Sequence, residues 1–252
     1  MTLAIRPQLS TEAVLAALEG VTAIPIVPYR NGQIDYAGHA KNVRYLMASN
    51  SQDDNRPRVI SIAGTSPVHH MGIAEQVKLV DATTRAMGNE GVYMAGIVPN
   101  PLADAKSLIA ELATLQRPPD CYLIMPLSGV YDPAGIYTEY MALGEEMGDR
   151  FGARFIYYFK QAKEMDSVVK LFRDSEEWVG VKVGTGTSRP GSVAFSSGRT
   201  CGATAAGAYS VSSSAGSLIA AKRSVWSPSG SSAGGGRGAR AGADCWRGSG
   251  SC

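Results

Sequence analysis

Six short apolar runs, rich in β-branched and aromatic residues, recur at intervals of about thirty residues, and this rhythm limits the fold more than any other feature. They are Thr22–Tyr29, Arg58–Ala63, Val92–Val98, Cys121–Pro126, Arg154–Phe159 and Trp178–Val183, with starts 36, 34, 29, 33 and 24 residues apart. Segments with helical spacing lie between them. Val77, Leu79 and Val80 follow the second run, Leu108, Ile109 and Leu112 the third, and Val168, Val169 and Phe172 the fifth. Strands without polar alternation are buried on both faces, and strands alternating with helices at this spacing predict parallel βαβ repeats. The predicted fold class is α/β.

Two α/β architectures fit such a rhythm. A nucleotide-binding doubly wound sheet wants a glycine-rich phosphate cradle after its first strand. Here Tyr29 is followed by Arg30-Asn31-Gly32-Gln33, with one glycine, and Gly184-Thr185-Gly186 is only a fragment of such a motif. The sequence therefore favours a (β/α)8 barrel, with six of eight strand–helix units recognisable and the active site at the C-terminal ends of the strands.

Three stretches carry candidate chemistry at those ends. In Trp178–Gly184, alternation puts Val179, Val181 and Val183 on one face and Gly180, Lys182 and Gly184 on the other. A lysine between glycines suits an interior position, where burial lowers its pKa and the neutral amine can attack a carbonyl to form a Schiff base. The competing reading is a lysine reaching from a strand end to water. In Arg154–Lys160, Phe155, Tyr157 and Phe159 share one face, so Tyr158 points inward near its strand end. A phenol there could shuttle protons, or simply be a core tyrosine with one hydrogen bond. Gly64, Thr65 and Ser66 directly follow the second run and could offer backbone N–H groups to a carboxylate, or make an ordinary turn. The following pair, His69-His70, reads as a surface loop.

Composition narrows the class. The chain has 252 residues, 44% hydrophobic and 18% charged, which excludes a fully disordered chain. No apolar run has the length of a membrane span, and the first twenty residues carry Arg6, Pro7 and Glu12 with no apolar core of a secretory signal, so a cytoplasmic protein without membrane or nucleic-acid partners is expected. Cys201, Cys245 and Cys252 lack metal-ligand spacing, and Cys121 opens an apolar run as a buried core thiol would.

Taken together these stretches resemble the dihydrodipicolinate synthase / N-acetylneuraminate lyase family of pyruvate-dependent class I aldolases, over about residues 17–187. Gly20-Val21-Thr22-Ala23-Ile24-Pro25 with Pro28-Tyr29 resembles the family's opening strand, followed by Asn31-Gly32-Gln33-Ile34-Asp35. Ala63-Gly64-Thr65-Ser66 falls on its G-T-T-G-E loop, Pro126 and Gly135 on the spacing after the fourth strand, Ile156-Tyr157-Tyr158 on its tyrosine strand and Gly180-Val181-Lys182 on its G-I-K lysine. The resemblance implies a lyase or aldolase in which Lys182 forms an imine with pyruvate or a related 2-oxo acid. Tyr158 would shuttle protons and Gly64, Thr65 and Ser66 would grip the carboxylate. It also implies no metal or organic cofactor, an aldehyde as second substrate, and a homo-oligomer in a full-length form. The chain departs from the family at Pro67-Val68, Leu127-Ser128, Phe159-Lys160-Gln161 and Val183, which bears on the substrate rather than on imine chemistry. The other class of function is a non-catalytic or defective barrel that at most binds a small carboxylate.

The composition changes abruptly near residue 188. Residues 1–190 hold 18 Lys+Arg and 21 Asp+Glu; residues 191–252 hold six and one, and Ser, Gly and Ala supply 40 of those 62 positions. Three of the four cysteines and two of the three tryptophans also lie there. No strand–helix unit is legible after Ser188, and Ser217-Leu218-Ile219-Ala220 is the one short apolar patch. The sequence thus predicts two regions, a barrel domain over 1–187 and a low-complexity stretch over 188–252. The residue types of the second region fit an out-of-frame read of a GC-rich gene.

Overall fold

The computed structural model describes residues 8–49 and 56–184, together with the backbone of the strands at 208–214 and 217–223. The chain opens with helix α1 (Thr11–Leu18), whose first turn is closed by the Ser10 hydroxyl accepting the Ala13 amide at 3.2 Å. Strand β1 (Thr22–Ala23) follows, then a tight hairpin of β2 (Tyr29–Arg30) and β3 (Gln33–Ile34). Asn31 and Gly32 turn this hairpin with φ of 52° and 77°, the left-handed pair such a two-residue turn demands. Helix α2 (Tyr36–Ala48) starts where the Asp35 carboxylate accepts the Gly38 amide at 2.9 Å.

The repeat then runs as the sequence predicts. Strand β4 (Val59–Ile62) leads to helix α3 (Ile73–Met87), β5 (Val92–Ile97) to α4 (Leu102–Ala113), and β6 (Cys121–Ile124) to α5 (Pro133–Phe151). Strand β7 (Phe155–Phe159) leads to α6 (Met165–Asp174), and β8 (Trp178–Val183) closes the series. The long helix α5 is built by its ends. Asp132 caps it, Pro133 occupies its first position, and Gly152 ends it at φ 63°.

Strands β1, β4, β5, β6, β7 and β8 are hydrogen-bonded in that order, and all are parallel. With helices α2–α6 on the outside they form a curled sheet, a partial (β/α)8 barrel. One apolar cluster fills the space between sheet and helices; Phe155, Tyr157, Phe159, Trp178, Val181 and Val183 belong to it. Trp178 stacks on Tyr140 of α5 with ring centroids 5.3 Å apart and donates its indole N–H to the Tyr140 carbonyl oxygen at 3.0 Å. A second cluster lies on the inner face, where Val14, Leu15 and Leu18 of α1 meet Val59, Val92, Cys121, Ile156 and Val179. Cys121 is fully buried there, as expected, and burial pushes its thiol far above the ordinary range.

Four sequence expectations change. The first apolar run is not an eight-residue strand: Pro25 and Pro28 lack the N–H that a sheet ladder needs, only Thr22–Ala23 pair in the parallel sheet, and Tyr29 pairs instead in the separate hairpin. Val169 is 44% exposed on α6, while Val168 and Phe172 face the core. Val179 lies on the inner face rather than beside Val181 and Val183. The cause is a bulge: Phe155 pairs with Trp178 but Ile156 pairs with Gly180, so one extra residue is accommodated and the alternation resets. Finally, two strands occur where the sequence shows none. Strands β9 (Ala208–Ser214) and β10 (Ser217–Arg223) form an antiparallel hairpin, and β10 pairs antiparallel with β8. They are not the parallel units of a complete barrel. The expectation of a shifted reading frame concerns residues 188–252, which lie outside the described residues apart from the backbone of these two strands.

Candidate active site

The C-terminal ends of the parallel strands open onto one cavity of about 690 Å³, within the range of small-molecule sites. Its walls come from successive strand ends. Ile24 follows β1, Gly64 and Thr65 follow β4, and Met125, Pro126, Leu127 and Ser128 follow β6. Tyr158 and the adjoining Lys160 and Gln161 come from β7, and Lys182 and Gly184 from β8.

Lys182 and Tyr158 are direct partners in the β7–β8 ladder. Side chains on one face of neighbouring strands stand close together, and the Lys182 Nζ accordingly lies 4.3 Å from the centre of the Tyr158 ring. Both side chains are half-buried. Burial holds the Lys182 amine below the ordinary lysine range, and the positive charge of Lys160 adds to the effect. Gly184 leaves room for the phenol: a Cβ there would sit 2.5 Å from Tyr158 Cε2 and 2.9 Å from its hydroxyl oxygen.

The loop after β4 is a tight turn in which the Ser66 amide donates to the Ala63 carbonyl oxygen at 2.8 Å. Gly64 and Thr65 reach the cavity. Ser66 is 1% exposed and does not line it, and its amide is already committed within the turn. Four of the five residues singled out from the sequence therefore share one cavity, and Ser66 supports the loop from beneath.

Two cavity residues were legible only in part. His69 lies in a short 3₁₀ turn (Val68–His70); it is exposed, as a loop histidine should be, yet it lines the cavity. Lys160 falls two residues after Tyr158 and so on the same face; its Nζ lies 5.2 Å from the Tyr158 ring centre. The useful signal for Lys160 was its position just past a strand end, whereas His69 reaches the cavity from the loop that follows β4.

A buried carboxylate ties two rim loops together. Glu164, 1% exposed, opens α6 and accepts a hydrogen bond from the Tyr131 hydroxyl, which belongs to the segment after β6. Burial and this partner raise the Tyr131 hydroxyl far above its ordinary range.

Several solved structures have a similar fold. Over 69% of this chain and 56% of its own length, dihydrodipicolinate synthase from Bacillus clausii superposes with a TM-score of 0.56 at 24% identity. The chain shares that fold. Dihydrodipicolinate synthase from Oceanobacillus iheyensis gives the same values, and N-acetylneuraminate lyase from Fusobacterium nucleatum gives a TM-score of 0.54 at 18% identity, over 68% of this chain and 57% of its own. The chain thus spans a little over half the length of the structures it matches. No protein-family model and no curated protein sequence matches the chain.

Proposed function

We propose that the chain belongs to the dihydrodipicolinate synthase / N-acetylneuraminate lyase family and is built for Schiff-base chemistry on pyruvate or a related 2-oxo acid, as a lyase or aldolase. The observation that carries this reading is the pairing of Lys182 with Tyr158 across two strands, at the end of the barrel where such enzymes hold their chemistry. The neutral Lys182 amine attacks the keto carbon, and the carbonyl oxygen takes up a proton to give a carbinolamine. Loss of that oxygen as water leaves the imine. The imine withdraws electrons from the neighbouring carbon, so a proton or an aldehyde-derived fragment can leave from it or add to it. Tyr158 carries the protons of these steps. Gly64 and Thr65, from the end of β4, hold the carboxylate, with Ser66 shaping their turn.

Borohydride reduction in the presence of pyruvate tests the reading. Reduction of the imine gives a stable secondary amine, and peptide mass spectrometry should find it on Lys182. An adduct on Lys160 instead would move the chemistry to the other lysine. A barrel that only binds a small carboxylate gives no adduct at all.

A further inference from the structure

The described lining of the cavity divides by exposure. Thr65, His69, Ser128, Lys160 and Gln161 are exposed and make a polar rim. Apart from Tyr158, Lys182 and Gly184, the less accessible lining is apolar: Ile24, Pro126 and Leu127 are half-buried, and Met125 is 4% exposed. This apolar wall adjoins the proposed chemistry. Ile124 pairs with Tyr157 in the β6–β7 ladder, so Met125 stands level with Tyr158, and both pack in the inner-face cluster. Tyr158 pairs in turn with Lys182, which gives one row of Met125, Tyr158 and Lys182 across neighbouring strands. The free end of Met125 reaches toward the loop after β4, where a Cβ on Gly64 would lie 2.8 Å from its methyl carbon.

We propose that the substrate is a 4-hydroxy-2-oxo acid whose C4 carries a hydrocarbon group, and that Ile24, Met125, Pro126 and Leu127 select for that group. The proposal rests on the Schiff-base reading, since the imine between Lys182 and C2 fixes where C4 lies. Imine formation releases one water. The C3–C4 bond then breaks, and its electron pair passes into the imine to leave an enamine. Tyr158, in its ionised form, takes the 4-hydroxyl proton as C4 becomes the aldehyde carbonyl, and returns it at C3. One water hydrolyses the imine, so the net products are pyruvate and an aldehyde. The 4-hydroxyl therefore faces Tyr158, and the group on C4 lies beside it. Lys182 occupies one side of Tyr158 in the row and Met125 the other, where the wall continues into Pro126 and Leu127. A hydroxylated group there would give up hydrogen bonds to water against side chains that offer none in return.

A series of 4-hydroxy-2-oxo acids with methyl, ethyl, propyl and butyl groups on C4 isolates the wall. Pyruvate release by the full chain is measured for each, and binding of each is titrated by calorimetry. The expected result is a kcat/KM that rises, and a Kd that falls, about fourfold for each added methylene, the roughly 0.8 kcal/mol of burying one. In Leu127→Asn that gain should shrink, whereas Met125→Leu, which keeps the wall apolar, should retain it. A thermal melt of Leu127→Asn distinguishes a lost gain from a lost fold, and Leu127→Ala is read in the same way if the first variant melts early. A flat series overturns the proposal, as does an undiminished gain in the Leu127 variants; with pyruvate still trapped on Lys182 by borohydride, either result leaves the Schiff-base reading standing. Binding that tightens along the series with no pyruvate release and no borohydride adduct supports the apolar wall and overturns the Schiff-base reading. Absence of binding by every member overturns both.

Discussion

Gly184→Ala probes the geometry between the two strands that carry the proposed chemistry. Gly184 is not among the residues with positive φ, so alanine fits the backbone and the effect is steric. The new methyl would meet Tyr158 Cε2 at 2.5 Å, its hydroxyl oxygen at 2.9 Å and Cζ at 3.1 Å. Ordinary contact begins near 3.4 Å, so the ring must retreat by about 1 Å, a misplacement that can cost roughly a hundredfold in rate when the displaced group takes part in proton transfer. The ring is half-buried with open cavity beside it, so the stability cost should fall near the low end of the roughly 1–3 kcal/mol seen for overpacking. The assay needs no aldehyde partner. An imine of pyruvate labilises the methyl protons, and their exchange in D2O is followed by NMR. Gly184→Ala should slow exchange by about a hundredfold while pyruvate is still trapped on Lys182. Exchange at the unaltered rate in a normally folded variant would show that the position of Tyr158 does not matter to proton transfer, and the shuttle assignment would fall.

Tyr158→Phe should lower methyl-proton exchange by about 10²–10⁴-fold and weaken pyruvate binding far less; near-normal exchange would make Tyr158 a packing residue. Lys182 bears a pKa lowered by burial, so the unfolded chain binds the proton more tightly than the folded one. Folding stability should therefore rise with pH from the lowered value up to the ordinary lysine range near about 10.4, and be lost as pH falls through the folded value. Lys182→Met removes this dependence, and denaturant melts across that pH window check it. Glu164→Leu leaves the half-buried Tyr131 hydroxyl without its carboxylate partner and should cost about 1–3 kcal/mol, read as a lowered denaturation midpoint.

Much of the barrel was legible because its signals are local. Leu108, Ile109 and Leu112 announce the buried face of α4, and the alternation of Phe155, Tyr157 and Phe159 announces which side of β7 meets the helices. The same alternation turns Tyr158 inward, and the glycines around Lys182 mark a lysine with space about it. These properties follow from the repeat of the backbone itself, 3.6 residues in a helix and two in a strand, and need no knowledge of the partner.

What escaped the sequence depends on the partner. Val179 faces inward because β7 and β8 pair with one residue unmatched, and a register shift exists only between two strands. The apolar patch at Ser217–Ala220 gains its role from the exposed edge of β8, which accepts an antiparallel neighbour where a complete barrel would have a parallel one. Ser66 looks like its neighbours Gly64 and Thr65 until the turn spends its amide on Ala63. Lys160 reads from the sequence as a second lysine near the site, and what the pairing of β7 and β8 adds is that its amine lies against the same ring that Lys182 faces. Periodicity thus determined the elements and the direction of their side chains, while pairing between distant segments decided which of those side chains meet.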